Sequence, residues 1–388
     1  MRLDQTRQII QINLQPHFGG GEVYTAFLCR ALDRLGVATR LFAHRDADFW
    51  EHLNLPASTE IHRVANPDAI LDALPDGPLW LLGHGPLPIQ LRQLHRPGGW
   101  LTAIAHMPVQ GRNPHVFDGH DQVFAVSAWV AEGLAAAGLP VWPAPLYGVA
   151  ELGKRMQQPG TSTLGRRSRY DWDRRKVRDR ALAFMAPLIE PLRARPTFVR
   201  RPGLTLGIVS RLTPIKQFPL LFSHLAPVLA RYPGVNLEIF GSGGYASVRD
   251  LDRALAPIAK RVRYWGQQTE VRAVYAGLDY LLTGLPEKEA LGLNVIEAQA
   301  CNLPVLAVKA PPFTETVAEG LTGFFYRDPR EDSGADFARL LEQILARTRP
   351  LQPIAATEHL AQFSFAAFVE RLRPVVEWCQ NRMQHRSL

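Results

Sequence analysis

Cysteine is scarce: three residues, Cys29, Cys301 and Cys379, in 388. They are odd in number and far apart. That fits buried thiols in a reducing cytoplasm better than disulfides or a metal site. Long apolar runs are missing as well, since none reaches the ~18–20 residues needed to span a bilayer. The start of the chain, Met1-Arg2-Leu3-Asp4-Gln5-Thr6-Arg7, has no apolar core of a signal peptide, so a cytoplasmic location is expected. No internal repeat or low-complexity tract stands out. A dinucleotide fingerprint is also lacking: Gly241-Ser242-Gly243-Gly244 does not follow the G-x-G-x-x-G order, which weighs against a dehydrogenase.

What is present is an ordinary globular composition, 46% hydrophobic and 21% charged, in a chain long enough for two α/β domains. Strand-like and helix-like segments alternate twice. In the first half, strands are expected at Arg7–Leu14, Thr39–Ala43, Leu79–Leu82, Trp100–Ala105 and Gln122–Val126. Helices are expected from about Glu22 to Leu35 and from the cap Ser127 to about Ala137. In the second half, strands are expected at Leu204–Ser210, Asn236–Gly241, Val262–Trp265, Asp279–Leu282 and Pro304–Val308, with a helix at Pro219–Arg231. This grammar predicts an α/β fold of two Rossmann-like, doubly wound parallel sheets, which bind ligands at the carboxyl ends of their strands. The expected domains are 1–190 and 203–364, with the boundary in 187–203. A closing amphipathic helix within 365–388 would pack back toward the first domain.

The net charge of +8 is concentrated. Residues 151–201 hold 14 Lys/Arg against 5 Asp/Glu, so the rest of the chain is near neutral. With Tyr170 and Trp172 among the basic residues, this stretch could meet anionic lipid, a phosphorylated acceptor or nucleic acid. A solvated linker or surface helix would have the same composition, and Asp171, Asp173 and Asp179 permit internal ion pairs.

Chemistry-bearing residues gather in the second half. Arg211 and Lys216 lie just past its first expected strand, where two cations could hold a diphosphate and neutralise charge as it departs. Glu289 and Glu297 flank Gly292. The run Leu293–Ala300 reads as a helix with Leu293, Ile296 and Ala300 on one face, stopped by Asn302-Leu303-Pro304. The helix N-terminus suits phosphate and the carboxylates suit hydroxyls, so together they suggest a ligand carrying both. Two solvated glutamates would show the same spacing, and it is the company of Arg211 and Lys216 that gives the pair weight.

In combination, Ser210-Arg211-Leu212, Lys216, Glu289, Gly292-Leu293, Glu297-Ala298, Ala300-Cys301 and Leu303-Pro304-Val305 resemble the retaining glycosyltransferases of family 4. So do Gly19-Gly20-Gly21-Glu22, Gly83-His84-Gly85, Ala105-His106-Met107-Pro108 and Phe124–Val130. The resemblance implies the GT-B architecture, two facing Rossmann-like domains. It also implies sugar transfer from a nucleotide-diphosphate sugar to an acceptor hydroxyl, in cell-surface polysaccharide, lipopolysaccharide or glycolipid synthesis, or on a small soluble acceptor. Arg211 and Lys216 would hold the diphosphate, Glu297 the ribose hydroxyls and Glu289 the donor sugar. Backbone at Gly241, Gly292, Leu293 and Asn294 would line the donor site. The turn Gly19-Gly20-Gly21 would let backbone approach the reacting centre, because residues without a Cβ tolerate positive φ and close contact. His106 matches the family's histidine near the anomeric carbon, and His84 is a possible acceptor contact.

The triplets Asp46/Asp48, Asp171/Asp173 and Asp250/Asp252 mimic a metal-binding D-x-D, but with Arg211 and Lys216 supplying positive charge neither metal nor cofactor is expected. Donor would sit mainly on the second domain and acceptor on the first, with front-face attack retaining configuration. The basic stretch would bring the enzyme to an anionic membrane surface. The competing class is a polyanion- or RNA-binding protein acting through 151–201. Two departures bear on specificity. Ala290-Leu291 stands where the family commonly has Gly-Phe, and the 151–201 connection is longer than usual.

Overall fold

The computed structural model describes residues 8–94, 99–150, 164–171 and 196–385. The chain divides into two units, Met1–Ala150 with Ala361–Leu388, and Glu151–Leu360. The first carries strands β1 (Gln8–Asn13), β2 (Ala38–His44), β3 (Thr59–Val64), β4 (Trp80–Gly83), β5 (Trp100–Ala105) and β6 (Gln122–Ala125), in the order β3-β2-β1-β4-β5-β6. The second carries β7 (Leu204–Val209), β8 (Val235–Phe240), β9 (Val262–Tyr264), β10 (Tyr280–Leu282), β11 (Val305–Val308) and β12 (Gly323–Tyr326), in the order β12-β11-β10-β7-β8-β9. Every ladder is parallel. Counted within its own unit, each sheet runs third-second-first-fourth-fifth-sixth, the doubly wound order. Its direction reverses between the first and fourth strands, and that crevice is where such sheets bind ligands.

Two edge strands, β3 and β12, were not expected from the sequence. Most residues of β3 are partly exposed, and β12 has only four residues, so neither shows a clear apolar period. The domain boundary also differs from the expectation of 187–203. The described part of the basic stretch pairs with the second unit: Tyr170 bridges Gly243, and the Arg167 N–H donates to the Trp265 carbonyl at 2.9 Å. The rest of that stretch, 151–163 and 172–195, lies outside the described residues. The expected closing helix is present as Phe365–His385 and belongs to the first unit, where Phe368 packs edge-on against Phe27 at 5.0 Å.

Local signals explain the key helix, Leu293–Ala300. Gly292 caps its start in the left-handed region at φ 81°, a conformation that favours glycine. At its end Asn302 also turns left-handed at φ 63°. The Leu303 N–H then donates to the Ala298 carbonyl at 2.8 Å, and the Asn302 N–H to the Gln299 carbonyl at 2.9 Å. That is a Schellman stop, which satisfies carbonyls the helix would leave open. The buried face is Val295, Ile296, Ala298 and Gln299, rotated from the expected Leu293–Ile296–Ala300 stripe. Val295 and Ala298 of this face share one apolar cluster with Phe313 and with Val305 and Ala307 of β11.

Candidate functional site

The second sheet assembles most of the expected residues around its reversal point. β7 ends at Val209 and leads into Arg211 and Lys216; β10 ends at Leu282 and leads into Gly284 and Glu289. Close backbone approach draws the two loops together. A Cβ at Gly284 would lie 2.2 Å from the Lys216 carbonyl oxygen, so only glycine fits there. Across this contact the Lys216 ammonium pairs with the Glu289 carboxylate, both partly buried. A second tie joins helix to strand: the Asn294 amide donates to the Val209 carbonyl at 3.0 Å. This anchors the Gly292–Asn294 helix start beside the end of β7. Arg211 is exposed and, among the described residues, its guanidinium makes no hydrogen bond or ion pair. A guanidinium, an ammonium and a helix N-terminus thus share one crevice, a setting suited to phosphates.

Glu297 sits one turn further along the helix. Burial lifts its carboxyl to about 7, against a smaller opposing effect of the Tyr275 hydroxyl, which donates to Oε2 at 3.1 Å. Its carboxyl therefore titrates close to neutral pH and can accept hydroxyl hydrogen bonds once ionised. Gly241 is a further expected site residue. A Cβ there would lie 1.9 Å from the Ser210 carbonyl oxygen, so the turn after β8 presses directly on the backbone that leads to Arg211.

Sequence reading missed what lies behind that turn. Residues 164–171 cross the carboxyl ends of β8 and β9 as a strap. The Gly243 N–H donates to the Arg169 carbonyl at 3.1 Å, the Asp171 N–H to the Gly243 carbonyl at 2.9 Å, and the Ser242 hydroxyl to the Asp171 carboxylate. Arg169 pairs with Asp252 at 3.1 Å and lies over the rings of Tyr170 and Tyr264. Also missed was Glu238 of β8, a fully buried carboxylate held by Arg201, Arg263 and the Trp265 indole N–H, at 2.9, 2.6 and 2.7 Å. A charged residue within an apolar strand pattern, with arginines on neighbouring segments, was the available signal.

In the first unit the expected glycine turn takes a different form. Gly19 is extended, while Gly20 and Gly21 open the helix Gly20–Arg34, and none of the three has positive φ. A Cβ at Gly21 would meet nothing within 4 Å, so this glycine leaves open space at the helix start rather than supplying an unusual conformation. His84 and His106 follow β4 and β5 directly and are brought together. His84 Nδ1 lies 3.1 Å from His106 Nε2, and the ring planes are within 13° of each other with centroids 5.4 Å apart, so the imidazoles meet edge to edge. Burial holds both imidazoles neutral, His106 down to about 4 and His84 well below its ordinary value. Among the described residues no group of three or more His, Cys, Asp or Glu could hold a metal ion, and no helix is long and apolar enough to cross a membrane.

Similarity to known proteins follows the geometry. Residues 203–347 match the family model Glycosyl transferases group 1. The D-inositol 3-phosphate glycosyltransferase of Corynebacterium diphtheriae is 32% identical over 184 residues, 44% of this chain and 41% of that protein. The chain thus spans about two-fifths of the length of the curated relatives it matches. Anabaena HepE, solved with UDP and glucose, superposes with a TM-score of 0.66 at 15% identity, covering 96% of this chain and 99% of that one. Sucrose-phosphate synthase of Thermosynechococcus elongatus gives 0.65 at 16% identity over 96% and 98%. The fold is GT-B. At these identities the structural likeness speaks for architecture alone, whereas the family match falls on the GT-B unit that carries Arg211, Lys216, Glu289 and Glu297.

Proposed function

We propose that this protein is a glycosyltransferase that moves a sugar from a nucleoside-diphosphate donor to an acceptor hydroxyl. The observation that carries the reading is the crevice at the β7/β10 reversal, where Arg211, the Lys216–Glu289 pair, the Gly292–Asn294 helix start and Glu297 converge. Arg211 and the helix N-terminus hold the diphosphate and stabilise it as it leaves. Lys216 shares its charge between phosphate and Glu289, which fixes Glu289 toward the donor sugar. Glu297 takes the ribose hydroxyls. His106 offers a neutral imidazole to a substrate hydroxyl at the end of the first sheet. No step requires a metal or an organic cofactor.

The reading includes retention of configuration, with the departing phosphate taking the acceptor's proton as the acceptor attacks from the same face. No carboxylate of the first unit is assigned as a nucleophile. A small soluble acceptor is favoured over a lipid-linked one, on the strength of the inositol phosphate glycosyltransferases that align with this chain. A thermal-shift panel of UDP-, GDP- and ADP-sugars on the wild type and on Glu297→Ala tests the donor assignment, because specific binding raises Tm by mass action. Equal shifts for both proteins would overturn the site. NMR of the product's anomeric configuration tests retention, and an inverted product excludes it.

A further inference from the structure

Around the end of β1 the first unit buries a chain of neutral polar groups whose proton positions can be worked out. Gln11, fully buried, uses its amide nitrogen toward Cys29 Sγ and Thr39 Oγ1, each at 3.4 Å. Its Oε1 faces His84 Nε2, at 2.7 Å. An amide oxygen only accepts, so His84 must carry its proton on Nε2. A neutral imidazole has one proton, which leaves His84 Nδ1 bare. Two groups approach that bare nitrogen, Thr25 Oγ1 at 3.0 Å and His106 Nε2 at 3.1 Å. Thr25 has a single hydrogen and a second acceptor within reach, the Gly21 carbonyl at 2.9 Å. Whichever way Thr25 points, a bare His106 Nε2 would set two lone pairs against each other at hydrogen-bond distance. His106 must therefore donate from Nε2.

We infer that Gln11 and His84 are positioning residues that lock His106 in the Nε2–H form, so that its free Nδ1 is an obligatory hydrogen-bond acceptor for a hydroxyl of a sugar or polyol substrate. Nδ1 has no partner among the described residues, and His106 is partly exposed. Tyr24 fixes the ring plane. It meets His106 edge-on at 4.8 Å, and its own hydroxyl is tied to the Leu146 carbonyl at 2.8 Å. An imidazole free to exchange tautomers would accept from hydroxyls and donate to carbonyl or phosphate oxygens alike. The lock selects donors of hydrogen bonds and rejects anionic oxygens at this point. The inference rests on the proposed glycosyl transfer for its substrate class, but the tautomer itself does not.

The test pairs a spectroscopic with a kinetic readout. Long-range ¹H–¹⁵N correlation spectra of the full chain should show both His84 and His106 protonated at Nε2. Finding His106 protonated at Nδ1 in the wild type would overturn the inference directly. Gln11→Leu removes the acceptor and should give His106 mixed tautomers, with kcat/KM lowered about tenfold, the scale of one neutral hydrogen bond. His84→Phe keeps a planar ring but removes the bare nitrogen and should cost at least as much. His84→Asn, whose side-chain oxygen falls near the position of Nδ1, should recover most of that loss. If His106→Ala impairs transfer while Gln11→Leu and His84→Phe do not, the positioning role is wrong. If transfer is lost in Glu297→Ala but survives every change at 11, 84 and 106, it is the substrate contact at the first sheet that fails, and the glycosyltransferase reading stands. Circular dichroism and Tm of each variant separate these outcomes from misfolding.

Discussion

The two sheets share one strand order, and each places its chemistry at the same reversal point, yet the two ends are built from different materials. At the end of β1 and β4 lie amide, hydroxyl and imidazole groups joined by neutral hydrogen bonds, with His84 and His106 held uncharged by burial. At the end of β7 and β10 lie Arg211, the Lys216–Glu289 pair and a carboxyl that titrates near neutrality. Neutral relays discriminate by the direction of hydrogen bonds, and charges discriminate by sign and stabilise charge that develops during reaction. The comparison teaches that a common topology specifies where a ligand sits but not what kind of ligand it is.

The contrast extends below the surface, and there the largest effect is expected. Gln11, buried in the first sheet, is satisfied by neutral partners, whereas Glu238 in the second is a buried charge held by two arginines and an indole. Removing one partner of a buried ion pair strands the others, at about 3–5 kcal/mol. Glu238→Ala should therefore lower stability in a urea titration by that order. A loss below about 1 kcal/mol would show that Arg201 and Arg263 find water instead.

Next comes the reacting centre. Arg211→Ala should reduce kcat by roughly 10²–10³, the usual scale for a lost charge contact to a leaving group. Lys216→Ala is less clean, since it also leaves Glu289 without its cation. Comparing Arg211→Ala with His106→Ala sharpens the division of labour: a larger kcat loss at His106 would mean that the neutral sheet, not the charged one, carries the electrostatics of transfer.

A smaller effect lies in pH. The Glu297 carboxyl is raised from its ordinary 4.5 to about 7, so the folded protein holds this proton more tightly than the unfolded chain. The resulting stability is fully present below pH 4.5 and is lost as pH rises through about 7. Ribose hydroxyls bind the ionised carboxylate better, so nucleotide affinity should move the other way, rising through pH 7 with release of a proton. Calorimetry in buffers of different ionisation heat measures that proton. Glu297→Gln should remove this contribution to both trends. The histidine pair of the first unit, held neutral by burial but free to charge in the unfolded chain, adds an opposite stability trend, lost as pH falls below its ordinary 6.5, and leaves nucleotide affinity unchanged.

Much of this was legible in the sequence because it depends on local pattern. Strand-helix alternation placed ten of the twelve strands among the described residues, and Asn302-Leu303-Pro304 marked the helix stop that the Schellman bonds confirm. Arg211, Lys216, Glu289 and Glu297 stood out in the sequence as candidates, and the second sheet gathers them around its reversal point. The rest depends on who meets whom across the fold. Nothing local announces that Lys216 pairs with Glu289, that Gln11 reaches His84 seventy-three residues away, or that 164–171 returns as a strap over the Gly241 turn. The buried stripe of Leu293–Ala300 was misjudged for the same reason: with apolar residues at 293, 295, 296, 298 and 300, the pattern of this eight-residue helix does not say which of them meet the core.

The smallest effect, and the finest test of the comparison, concerns the glycines at the two helix starts. Gly21 lies in the first turn of Gly20–Arg34 with helical backbone and open space where a Cβ would go. Gly292 is left-handed, and a Cβ there would come within 3.1 Å of the Val295 side chain. By backbone energetics alone, Gly21→Ala should stabilise the protein by about 0.5–1 kcal/mol, and Gly292→Ala should destabilise it by about 1–2. Gly292 is then accounted for by its conformation, and Gly21 is not. If Gly21→Ala raises Tm and leaves transfer intact, the glycine is incidental. If it raises Tm and weakens transfer, the residue gives up stability to keep a helix N-terminus open to substrate, and the neutral sheet offers its ligand backbone N–H groups at a helix start, as the charged sheet does at Gly292–Asn294.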